Sequence, residues 1–148
     1  MKVAVLMGSP NDAPKMAPAV EMLERFGMVA DERVMSAHRN PAMVAEFAAG
    51  ARENGYAAVI CGAGLAAHLG GVVAAHTTLP VVGVPLSGGG LNGVDALYST
   101  VQMPPGIPVA CVAIDGAKNA AILVAEMIAI TDEAMATRLA EFRAGGAK

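Results

Sequence analysis

The sequence predicts an α/β protein of three layers, with helices on both faces of a parallel sheet of about five strands and a helical tail at the C-terminus. Three observations carry this. Short apolar runs alternate with helical patterns along the whole chain. The runs are near-continuously apolar rather than alternating, as strands buried on both faces are. Proline, asparagine and glycine punctuate the intervals where helices start and stop.

The elements follow in order. Lys2–Met7 reads as a buried strand stopped by Gly8. Asn11 or Asp12 is placed to cap a helix with Pro14 in its first turn, and Gly27 ends it. Met28–Met35 is a more polar second strand. Asn40 and Pro41 give an N-cap and a proline at the first helical position. Val44, Phe47, Ala48 and Ala51 fall on one face of that helix, which Gly55 closes. Ala57–Cys61 reads as strand three. Gly62 to Gly64 read as a tight turn into a small-residue helix over Leu65–His76. Pro80–Pro85 is strand four, Ser87–Gly93 a glycine-rich loop, and Val94–Val101 a short helix. Val109–Ile114 is strand five and Ala117–Ile130 a long apolar helix. After Thr131, Met135, Leu139 and Phe142 recur at helical spacing in a charged tail, which either covers the domain edge or reaches a neighbouring subunit. This βα alternation is flavodoxin-like or Rossmann-like, in one catalytic domain over 1–148 whose tail is 131–148.

Composition narrows the function. The chain has 148 residues and a formal net charge of -3, so no broad basic face invites nucleic acid. A phosphorylated ligand then needs a local cationic pocket. No apolar run reaches membrane-span length, and the start is too short for a secretory leader. Cys61 and Cys111 lie in apolar runs and read as buried reduced thiols. Hydrophobic residues make up 55% and charged residues 16%, against about 45–50% and 25% in ordinary domains. The alanine-rich excess points to surface shared with other copies of the chain.

Ligands of such folds bind outside the carboxyl ends of the strands. Gly8–Asp12, Ser36–Asn40, Gly62–His68 and Ser87–Gly93 all follow strands. Gly8-Ser9-Pro10-Asn11-Asp12 fits an anion-binding helix start and equally a plain capped turn; neither GxGxxG nor a Walker lysine is present. In Ser36-Ala37-His38-Arg39 a histidine able to pass a proton stands beside an arginine suited to phosphate or carboxylate; the other reading is a surface His-Arg pair on a loop, and the place at a strand's carboxyl end favours the functional one. Gly62–Gly71 brings main chain close to a ligand, and His68 within it is either a donor to an anion or a packed interior histidine. His76 ends a helix. The three histidines lie apart, with no spacing for a metal site, and no serine stands in a GxSxG elbow.

Taken together, MGSPND (7–12), SAHRNP (36–41), GAGLAAHLGG (62–71), VVGVPL (81–86), GVDALYSTVQMPPGIPVA (93–110) and Asn119–Ala121 resemble the N5-carboxyaminoimidazole ribonucleotide mutase family, from Val3 to about Ile130. The resemblance implies a cytoplasmic enzyme of purine biosynthesis, without metal or organic cofactor, assembled as an octamer with sites at subunit junctions. Its reaction moves a carboxylate from the exocyclic nitrogen of an aminoimidazole ribonucleotide to ring carbon 4. By resemblance His38 transfers the proton and His68, with Leu69, closes over the carboxylate. Ser9, Ala63 and Gly64 match carboxylate-handling positions, Asp12 the ribose-binding aspartate, and Ser36 and Arg39 phosphate-binding positions. Asn11 stands where the family often has a serine at a phosphate contact. Leu65 and Gly70 replace a glycine and a proline of the mobile loop. The sequence also fits two alternatives: an aminoimidazole ribonucleotide carboxylase using free carbon dioxide, and a non-catalytic nucleotide- or flavin-binding module. The two tyrosines and three phenylalanines offer little to stack on a flavin.

Overall fold

The computed structural model describes residues 1–147. Five parallel strands, β1 (Lys2–Met7), β2 (Val29–Val34), β3 (Tyr56–Gly64), β4 (Val81–Leu86) and β5 (Ala110–Cys111), form one sheet in the order β2-β1-β3-β4-β5. The helices are α1 (Ala13–Arg25), α2 (Pro41–Gly50), α3 (Leu69–His76), α4 (Val94–Val101), α5 (Ala117–Ala129) and α6 (Glu133–Ala144).

Strand periodicity sorts the core onto two faces. Val3, Val5 and Met7 of β1 pack with α1, α5 and α6, whereas Ala4 and Leu6 pack with α2 and α3. Two glycines set how closely helices approach. A Cβ on Gly62 would stand 2.3 Å from Met16 Sδ of α1, and one on Gly83 would stand 2.3 Å from Thr100 Cγ2 of α4. Both helices therefore rest directly on the sheet. The tail's alternatives resolve toward the domain edge. Met135, Leu139 and Phe142 bury against the α1–α5 layer, with the Phe142 ring edge-on to Phe26 at 5.4 Å. Asp132 caps this helix by accepting from Met135 N at 2.9 Å.

Several expected boundaries move. The third strand runs on through Gly62, Ala63 and Gly64, which pair with Val84, Pro85 and Leu86 of β4. The next helix accordingly begins at Leu69, not Leu65, and Leu65 turns the chain with φ +54. The second helix stops at Gly50, and Gly55, at φ +78, instead turns the chain into β3. The fifth strand is only Ala110–Cys111, and Cys111 is half-buried rather than buried. Asp12 and Asn40 stand at helix N-caps without side-chain cap bonds. The cap at the first turn is Ser9, whose Oγ accepts from Asn11 N at 3.2 Å. Among the described residues no helix is long and apolar enough to cross a membrane.

Candidate functional site

The strand order reverses direction at β1: the chain goes to β2 on one side, then returns past β1 to β3 and onward. Loops leaving β1 and β3 therefore diverge and open a crevice at their carboxyl ends. A cavity of about 700 Å³ lies there. Four loops line it: Gly8, Ser9 and Asp12 after β1; Ser36, Ala37, His38 and Arg39 after β2; Ala63–Ala66, His68 and Leu69 around the end of β3; and Ser87, Gly88 and Gly89 after β4.

Inside it, His38 Nε2 lies 2.6 Å from His68 Nδ1, with the rings edge-to-face and their centroids 4.8 Å apart. Both histidines are exposed in the single chain, so His68 is not a packed interior histidine. A contact this short requires one nitrogen to donate and the other to accept. Arg39 is held at both ends. Its main-chain N–H donates to Ser36 Oγ at 3.3 Å, and its guanidinium donates to the Gly8 carbonyl at 2.9 Å. That second bond ties the loop after β2 to the end of β1. It uses one of five guanidinium donors and keeps the cation at the cavity wall.

Asp12 is half-buried behind Ser9. Burial pushes its carboxyl above the usual value, only partly offset by the Ser9 backbone and by the cations Lys15 and Arg39. A carboxylate under such pressure gains from a ligand that donates hydrogen bonds to it, as sugar hydroxyls do. Cys61, by contrast, is a buried thiol whose ionisation burial pushes far up, out of reach of any role as a thiolate.

Of the ten residues singled out from sequence, nine line the cavity: Ser9, Asp12, Ser36, His38, Arg39, Ala63, Gly64, His68 and Leu69. Asn11 does not. It is exposed in a short 3-10 turn, and its recorded bond is the main-chain one to Ser9. In the sequence the Ser87–Gly89 wall is marked only by a glycine-rich loop after a strand. Nothing local marks Lys15, whose Nζ donates to the Ser87 carbonyl at 2.5 Å and to Ser87 Oγ at 2.9 Å.

The chain is similar to known proteins over nearly its whole length. A protein from Pyrococcus abyssi named N5-carboxyaminoimidazole ribonucleotide mutase is 50% identical over 142 residues, covering 96% of this chain and 82% of the relative. One of the same name from Saccharolobus solfataricus is 50% identical over 141 residues, covering 95% and 89%. A crystal structure of Treponema denticola PurE superimposes with a TM-score of 0.87 at 27% identity, over 99% of this chain and 91% of that one. The profile of the AIR carboxylase family matches residues 2–148. On sequence over nearly its full length, and on fold, the chain belongs to the AIR carboxylase family.

Proposed function

We propose that this protein is an N5-carboxyaminoimidazole ribonucleotide mutase of de novo purine (IMP) biosynthesis. It takes a small phosphoribosyl substrate and moves its carboxylate from the exocyclic nitrogen to ring carbon 4. The observation that carries the reading is the hydrogen-bonded pair of His38 and His68 in a cavity that also holds Arg39 and Asp12. Half-identical relatives of the same name support it.

The reaction balances without any external reagent. The nitrogen–carboxyl bond breaks, releasing carbon dioxide, and the nitrogen takes a proton. Ring carbon 4 then bonds to the carbon dioxide and gives up its own proton. One proton is consumed and one returned, so a single group that donates and then accepts serves both halves. His38 is that group, and His68 passes or holds the proton beside it. Arg39, with Ser36, binds the phosphate, and Asp12 takes the ribose hydroxyls. Ser9 and the main chain of Ala63 and Gly64 hold the carboxylate and the carbon dioxide derived from it. Leu69 and the loop before it exclude water, which keeps the carbon dioxide at high effective concentration. No organic cofactor or metal enters the scheme.

The protein works in the cytoplasm as a homo-oligomer, an octamer by family. Val94, Tyr98 and Val101 lie exposed along one side of α4, with Leu91 before it, and support self-association. The net charge of -3 favours neither nucleic acid nor anionic membrane as partner. Carboxylate transfer tests the function. Turnover of the N5-carboxylated substrate, with none of aminoimidazole ribonucleotide plus bicarbonate, is expected. The reverse pattern replaces the mutase with a carboxylase, and a yellow, inactive protein points to flavin binding. Light scattering at the 14.9 kDa of one chain would remove the oligomer.

A further inference from the structure

We propose that Lys15 is a positioning residue of the site, pinning Ser87 and through it the Gly88–Gly89 wall against which the substrate lies. The substrate named here rests on the mutase reading; the pin rests on geometry alone.

Three polar atoms of Ser87 are engaged. Its N–H donates to Asp115 Oδ1 at 2.9 Å, while its carbonyl and Oγ accept from Lys15 Nζ at 2.5 and 2.9 Å. Two of the three bonds come from one ammonium, and the third goes to a carboxylate, so all are charge-assisted. The segment that follows has little else to hold it. Gly88 and Gly89 sit at φ +141 and +62, and a Cβ on Gly88 or Gly90 would meet nothing within 4 Å. Ser87 is thus the root of a wall made of bare main chain, over which the exposed Leu65 side chain lies, at Gly89.

The clamp joins α1, the β4–α4 loop and the turn before α5 at Ser87, which lines the cavity. Lys15 stands one helical turn from Asp12, and its charge draws the carboxyls of both Asp12 and Asp115 downward. At Asp115 the Ser87 bonds and Lys15 prevail over the upward push of burial; at Asp12 burial prevails.

Amide hydrogen exchange of residues 87–91 in the full-length oligomer, without ligand, tests the pin independently of any reaction. Lys15→Met is expected to speed exchange there about tenfold, and Lys15→Arg, which keeps the charged donors, to stay near wild type. In steady-state transfer, Lys15→Met is expected to raise KM about tenfold with kcat within about twofold. Unchanged exchange overturns the pin, and a fall in kcat at unchanged KM overturns the positioning role. Should Lys15→Met fail to fold, Ser87→Ala removes only the Oγ acceptor; faster exchange at 88–91 supports the pin and unchanged exchange overturns it. A wild type without transfer defeats the mutase reading while leaving the exchange result to judge Lys15.

Discussion

His38 Nε2 and His68 Nδ1 face each other across 2.6 Å, from loops that follow different strands. One proton fits between them. Two imidazoliums would set N–H against N–H, so the contact survives only while at least one ring is neutral. On the mutase reading proposed above, a proton taken by His38 has a receiver already in place in His68.

His38→Asn is expected to keep fold, assembly and ligand binding, since asparagine preserves size and a hydrogen bond. Carboxylate transfer falls by about 10²–10⁴, the range of a lost general acid–base group. Exchange of the carbon-4 hydrogen with heavy water falls with it. Near-normal transfer would displace His38 in favour of His68.

His68→Ala is expected to lower turnover while leaving the thermal midpoint within about 2 °C, because an exposed side chain on a loop contributes little to the core. Differential scanning calorimetry beside the transfer assay decides. A large stability loss with normal turnover would make this histidine a structural one.

Arg39→Ala is expected to weaken the phosphorylated substrate by about 1.5–3 kcal/mol, the worth of a hydrogen bond to a charged group. It also cuts the bond to the Gly8 carbonyl. Arg39→Lys restores the charge but not the fork, so it recovers only part. Calorimetric titration with the substrate checks both, and unchanged affinity in Arg39→Ala removes Arg39 from the site.

Much of the frame is legible in the sequence because it is local. Lys2–Met7 and Val94–Val101 are apolar or amphipathic segments bounded by their own glycines, and their predicted limits hold. The SAHR segment likewise carries, within four residues, its histidine, its arginine and the serine that accepts from the Arg39 N–H. What sequence misses is set at long range. Gly62–Gly64 reads as a turn, yet a partner strand makes it strand. Lys15 looks like an ordinary charge in a first helical turn, and the serine it holds lies 72 residues away. Asn11 errs the other way: it sits amid site residues, but the turn that Ser9 caps leaves it outside the cavity lining.

Asp12 predicts a pH dependence with a definite sign. Burial, the largest influence, raises its folded carboxyl above the usual value of 3.8. Between that value and the raised one the folded state holds more protons than the unfolded, so stability falls as pH rises through this window and stays reduced above it. Asp12→Asn, which never ionises, is therefore expected to melt higher than wild type at pH 7, with the gap closing below about pH 4. The same variant loses substrate affinity. Melting curves from pH 3 to 8 test the sign, and a variant that melts lower at neutral pH would show that Asp12 is held by its partners rather than strained by burial.

Leu65 and Gly89 predict a coupling between two cavity walls. Leu65 stands in the left-handed region at φ +54, half its surface open to solvent, with Cδ2 only 2.5 Å from where a Cβ on Gly89 would lie. Gly89 is itself at φ +62. Gly89→Ala therefore meets two costs. The left-handed backbone costs about 1–2 kcal/mol for a residue with a Cβ, and the new methyl displaces the leucine. Because the blocking atom is the free end of an exposed side chain, it swings aside, and this second cost is of order 1 kcal/mol. Leu65→Gly removes the obstacle, so in that background Gly89→Ala should cost the backbone share alone. Thermal midpoints of the four proteins, at one fixed concentration so that assembly does not shift them, complete the double-mutant cycle. A coupling of about 1 kcal/mol is expected; strict additivity would mean that Leu65 does not lie over Gly89 and that the two walls move independently.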